Sequence, residues 1–283
     1  MRTVRFASSA IPTLLFATTA MAQSKPGVSF EQTLLAITTA RGRTDTTTTL
    51  LHTTSAGGDG RIEVEKGKFF PNMGPFSSGP HAVMIMRDGG TQIFFLNPDE
   101  KQYLSLKPLE MIEGMQKMLD GMGGSMSFDT AGTGLSLDSV GPGPSIDGHP
   151  TLTYRLRIAM KMTMSMMGQS NVVDTQSSEE IQVAPDLGDY AGVASMNRFA
   201  ELTEAMGFPK GYYEKLAATR RKIRGFTLRA VTHTTSTANG VTRTRDQTIE
   251  TRNVQRLAVS DSLFVVPADY KPVKVPMAGM PGR

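Results

Sequence analysis

TLTYRLRIAMKMTMSM, residues 151–166, is the stretch on which the fold turns. Counted in twos from position 152 it reads Leu152, Tyr154, Leu156, Ile158, Met160, Met162, Met164 and Met166. The positions between are Thr151, Thr153, Arg155, Arg157, Ala159, Lys161, Thr163 and Ser165. Side chains alternate faces along a strand, so the stretch predicts one long strand, apolar on one face and polar on the face turned to water. At about 3.3 Å per residue it would span about 50 Å, well beyond the usual strand. Strands that long suit a strongly curved sheet. The methionines continue a surface that Leu, Tyr and Ile begin, which favours packing over metal binding.

A second methionine stripe lies upstream. In PLEMIEGMQKMLDGM, residues 108–122, Met111, Met115, Met118 and Met122 recur at steps of four, three and four. That spacing puts them on one helical face, flanked by Ile112 and Leu119. Gly114 weakens the helix, which must then be held by what it packs on. A methionine-lined helix could lie across a methionine-lined strand. Methionine is unbranched and polarizable, and it adapts to irregular apolar partners. Two readings stay open: a core filled with Met in place of Leu, or a deformable groove for an acyl chain or other apolar guest. In the second, Tyr154, Leu156, Ile158, Met160, Met162, Met164 and Met166 line the groove with Met111, Met115, Met118 and Met122.

The rest of the chain reads as sheet-rich with a few helices. Residues 43–55, RTDTTTTLLHTTS, are β-prone, AGGDG is a turn, and 61–65 returns. A loop rich in Gly, Pro and Ser covers 71–80. HAVMIM, TQIFFL and KQYLSL follow as short strands, separated by turns at Asp88-Gly89-Gly90 and Asn97-Pro98-Asp99-Glu100. Pro108 opens the helix. Residues 121–148 read as a Gly-rich connector with one short strand near 134–140. Helical segments are expected at 195–206 and 211–222, then a hairpin whose tip is Asn239-Gly240.

The first residues set the location. Arg2 and Arg5 precede the short apolar stretch 11–20, and Ala20-Met21-Ala22 is a small-x-small cleavage site. Residues 1–22 therefore read as a secretory signal peptide, residues 23–276 as a single domain, and 277–283 as a frayed, disordered tail. No later run reaches the length of about 20 apolar residues that a spanning helix needs. The sequence holds no cysteine, so neither a disulfide nor a lipidated cysteine is available. The expected product is exported, soluble, periplasmic and not lipid-anchored.

Charge and motifs narrow the function classes. Without Arg2 and Arg5 the chain carries 28 basic against 26 acidic residues, too even for a nucleic-acid surface. Arg220-Arg221-Lys222 with Arg224 reads first as a solvated helix end, and second as a contact for anionic headgroups. The sequence has no Gly-x-Ser-x-Gly elbow, no His-Glu-x-x-His helix and no phosphate loop, so no enzyme is expected and no cofactor is called for. Thioethers select Cu(I), which makes a copper-binding protein the alternative. Same-face neighbours on a strand stand about 7 Å apart, however, so few of the sulfurs could converge on one ion.

Three phrases resemble the periplasmic lipoprotein-carrier (LolA/LolB-like) superfamily, and more closely its uncharacterised relatives. They are IFFLNPDEKQYLSL at 93–106, VGPGPSIDGHPTLTYRLRI at 140–158 and SDSLFVVPADYKP at 260–272. The resemblance runs over roughly residues 60–275. It implies an α+β fold: a curved antiparallel sheet forming an open half-barrel, helices over its concave face, and an apolar cavity between. It implies as partners an apolar small molecule, lipid or lipoprotein, with a membrane or envelope protein as a further possibility.

Overall fold

The alternation at 151–166 folds as predicted, into a strand of 18 residues, His149–Met166. The computed structural model describes residues 24–67, 81–110, 114, 117, 121, 123–166, 169–188 and 212–273. The N-terminal half supplies β1 (Ser24–Ala40), β2 (Arg43–Ala56), β3 (Asp59–Lys66), β4 (Val83–Arg87), β5 (Gln92–Asn97) and β6 (Gln102–Leu106). The second half supplies β7 (Ser125–Ile146), β8 (His149–Met166) and β9 (Gln169–Ala184). Helix α1 (Tyr212–Arg220) precedes β10 (Phe226–Ala238), β11 (Val241–Ser260) and the two-residue β12 (Lys271–Pro272).

All twelve strands join one sheet in the order β12-β6-β5-β4-β3-β2-β1-β11-β10-β9-β8-β7. The chain meanders outward from β1 to β6, restarts at the far edge with β7, and returns until β11 pairs with β1. The sheet is curved and open, with β7 and β12 as its two edges. Two-residue turns with both residues at positive φ join β1 to β2 (Arg41-Gly42), β7 to β8 (Asp147-Gly148) and β10 to β11 (Asn239-Gly240). Such turns carry the right-handed twist of the strands they join.

One expectation is corrected, and one strand had no signal. Residues 121–148 are not a connector with one short strand: 125–146 form a strand of 22 residues. Its register against β8 breaks three times, between Asp129 and Gly134, Ser139 and Gly141, and Gly143 and Ile146. Glycine and proline weaken strand patterning, and bulges let a long edge strand absorb them. Strand β1 was also invisible, because SKPGVSFEQTLLAITTA alternates poorly.

Residues paired across antiparallel strands share a face. The face carrying Leu152 to Met166, here the methionine face, bears two buried clusters. One joins Leu51, Ile62, Val64, Met84, Phe95 and Leu104 on β2–β6. The other joins Leu156, Ile181 and Val183 to Tyr212 and Leu216 of α1. A nine-residue helix is marginal alone, so α1 depends on this packing. On the opposite face, residues 260–270 cross β3–β6 and bury Phe264 against Ile85 and Leu96, before Lys271–Pro272 join the sheet edge beside β6. Burying one such ring stabilises the fold by about 1.5–3 kcal/mol.

Candidate apolar binding site

Strand β8 changes character along its length. At its start both faces are covered. Leu156 is fully buried with α1 above it, and Leu135, Leu137, Leu152, Tyr154 and Ile158 pack around the same cluster. On the other side Thr151 and Thr153 are also buried, although their polarity predicted a water-facing row. The cause is the preceding turn of chain, which folds back over them. Thr151 Oγ1 donates to the carbonyl of Pro144 at 2.7 Å. A Cβ on Gly143 would stand 2.5 Å from Thr151 Oγ1 and 2.6 Å from Thr153 Oγ1, so only glycine fits there.

Beyond Ile158 the methionine face emerges from the core. Ile158, Met160 and Met162 are half-buried, and Met164 is 39% exposed. Met166 is the last residue of β8. Strand β7 continues the apolar surface on the edge side, since Phe128 pairs with Met162, Leu135 with Ile158 and Leu137 with Leu156. On the other side β9 offers mostly polar partners: Glu179 opposite Leu156, Ser177 opposite Ile158, Thr175 opposite Met160. From Leu156 to Met160 the apolar strip is thus two strands wide, bounded by polar side chains on one flank and the β7 edge of the sheet on the other, and at Met162 it widens onto Val173 of β9. Arg220 at the end of α1 pins the boundary, with Nη2 2.7 Å from Glu179 Oε2. That pair also accounts for part of the basic run at 220–224.

Phe128, Leu135 and Leu137 were not anticipated as lining residues. Their signal was the Leu135-x-Leu137 alternation, but the bulges hide which face each shares with β8. Of the expected helical stripe, Gly114, Lys117 and Gly121 are helical and exposed. Met111, Met115, Met118 and Met122 lie outside the described residues, as do the segment 195–206, the signal-peptide stretch and the tail 277–283.

A separate cleft of about 420 Å³ opens under the β7–β8 turn, lined by Ile146, Asp147, Leu228, Arg229, Glu250 and Arg252 among others. It is not the expected groove. Its charges answer one another, with Arg229 Nε 3.5 Å and Arg252 Nη2 3.4 Å from the Glu250 carboxylate, and the Asp147 carboxylate accepts from the amide of Asn253 at 3.1 Å. No group of three or more His, Cys, Asp or Glu side chains able to hold a metal ion occurs among the described residues. No helix among them is long and apolar enough to cross a membrane.

No protein-family model matches the sequence, and no curated protein matches it. Among solved structures, the chain overlaps PNGF-II in two crystal forms. Identities are 12% and 11%, with TM-scores of 0.31 and 0.27, over 87% and 86% of this chain. It spans under a third of those chains, 31% and 30%. It also overlaps a domain described as that of an outer membrane lipoprotein-sorting protein from Vibrio parahaemolyticus. There the identity is 8% and the TM-score 0.28, over 85% of this chain and 89% of that one. Matches at this level establish neither the fold of this chain nor its activity.

Proposed function

We propose that the protein is an exported carrier that binds an apolar guest, a lipid or acyl chain, against the strip formed by β7 and β8, without catalysing a reaction on it. One observation carries this reading: the passage along one face of β8 from buried Leu156, through half-buried Met160 and Met162, to exposed Met164. A guest-binding strip anchored at one end and open at the other would show this order. Thioether side chains suit the task because they conform to chains of different shape at little cost. Helices over the methionine face, including the stripe Met111, Met115, Met118 and Met122, would complete the groove. The signal-peptide reading of residues 1–22 sets the carrier outside the cytoplasm. The Vibrio protein's lipoprotein-sorting description falls in the same class, but at a TM-score of 0.28 it adds no support.

The test is native mass spectrometry of the protein purified from the compartment to which it is exported. A retained lipid or acyl mass is the expected result. A retained copper ion would replace this reading with the metal one, and a bare chain after gentle purification would count against both.

A further inference from the structure

The turns Arg41-Gly42 and Asn239-Gly240 end side by side, because β1 and β11 are neighbours. Register puts Arg43 and Arg243 on either side of Ala40, and Arg245 beside Thr38, all on the methionine face. Strands lie about 4.8 Å apart, so Arg43 and Arg243 start about 10 Å apart, while Arg243 and Arg245 start about 7 Å apart. Arg41 stands in the turn itself. All four are exposed, and among the described residues none has an ion-pair partner. Asp45, also beside Thr38, is the acid on the same face. Asp246 is on the opposite face, where its carboxylate is held by His233 Nδ1 at 2.5 Å. Apart from His233, Asp246 and Ile37, the opposite face of these rows is threonine, with hydroxyl pairs Thr39–Thr44 at 3.0 Å and Thr237–Thr242 at 3.1 Å. The positive charge is therefore one-sided.

The row beside it, nearest the turn, is apolar across five strands. Val241, Ala238, Val173, Met162 and Phe128 are successive cross-strand partners. The row spans about 19 Å. Val241 is 37% exposed, and Met164, one step further along β8, 39%. A cluster of arginines beside an apolar row that is half-buried in the middle and exposed at Val241 has a specific complement: an interface with phosphates at one depth and hydrocarbon just below.

We propose that this rim of the sheet docks on an anionic lipid surface, with Arg41, Arg43, Arg243 and Arg245 against headgroup phosphates and Val241 and Met164 entering the boundary with the acyl chains. Guanidinium groups match phosphate oxygens in pairs, and the four arginines outnumber the one carboxylate beside them, Asp45, so the rim keeps a net positive charge. Duplex nucleic acid also presents phosphates but offers no apolar phase for Val241 and Met164. Met164 belongs to both this rim and the guest strip of the proposed function, so docking is tested through the arginines and Val241, which lie outside that strip.

The test is co-sedimentation of the full exported chain with vesicles of phosphatidylcholine alone and with 30% phosphatidylglycerol. The expected result is binding to the anionic vesicles that fades as salt rises, with little binding to the neutral ones. Each arginine near such a surface is worth about fivefold in partitioning, so R43Q/R243Q should lose at least tenfold. The equal-charge control K215Q/K222Q, on and just after α1, should stay within about twofold. V241S should weaken binding to anionic vesicles without changing its salt dependence. Equal losses in the two double variants would overturn the proposal. So would equal binding to neutral vesicles, no binding at low salt, or equally tight retention of a short DNA duplex. Melting curves for each variant separate lost docking from lost folding.

Discussion

Glu179 and Arg220 lie 41 residues apart in sequence and meet at 2.7 Å, closing α1 onto β9 beside the cross-strand partner of Glu179, Leu156. The Glu179 side chain is 18% exposed and that of Arg220 31%, so the pair is shielded more than any surface bridge. Arg157 and Asp138 approach equally closely, at 2.6 Å, but are half exposed. A double-mutant cycle with alanine should give a coupling of about 1–2 kcal/mol for Glu179–Arg220 and below about 0.5 kcal/mol for Arg157–Asp138. Chemical denaturation reads both, and equal couplings would remove α1's polar anchor from the account.

Gly143 is the second place where one atom decides. Adding a methyl group there forces it against two threonine hydroxyls on stiff β-branched side chains. Gly143→Ala should cost about 1–3 kcal/mol, while Gly141→Ala meets no neighbouring atom and suffers only from its φ of 117°. Thermal melts of Gly143→Ala with and without Thr151→Ala and Thr153→Ala separate the contact from backbone effects. Failure of the threonine truncations to recover stability would show that packing there is not the cause.

The C-terminal strap is tied by charge as well as by Phe264. Lys101 Nζ lies 2.7 Å from Asp269 Oδ2, and its hydrogen bond holds the Asp269 carboxyl below its ordinary value of 3.8, while the carboxylate raises Lys101 above 10.5. A lowered carboxyl contributes stability above its ordinary value and loses it as pH falls through the folded-state value; a raised lysine contributes below 10.5 and loses it as pH rises. The destabilisation caused by Asp269→Asn should thus hold across neutral pH, begin to fade near pH 3.8 and vanish as pH falls through the lowered folded-state value. Melting temperatures of both proteins across that range test the sign, and a difference that persists in acid would refute it.

Much of this architecture was legible because its signals are local. Alternation in β8 and the turns Asn97-Pro98-Asp99-Glu100 and Asn239-Gly240 gave strands and hairpins directly. What was missed is non-local. The apolar neighbours Phe128, Leu135 and Leu137 depend on where bulges fall in β7, and bulges follow from pairing rather than pattern. Burial of Thr151 and Thr153 follows from the chain reversal at Asp147-Gly148, which brings Gly143 and Pro144 against them. The arginine rim was equally hidden, since Arg43 and Arg243 are 200 residues apart and meet only through the β1–β11 pairing.

Met164 and Thr163 adjoin on β8 but face opposite sides of the sheet, and only Met164 continues the apolar strip. Its partial exposure means Met164→Lys should fold, which makes it the sharpest probe of the guest site. The deciding measurement is titration of a fluorescent fatty acid into wild-type protein, Met164→Lys and Thr163→Lys. Saturable binding to the wild type and Thr163→Lys, with a loss of at least tenfold in Met164→Lys, is the predicted result. Equal affinity in all three proteins would contradict the claim that this face of β8 holds an apolar guest.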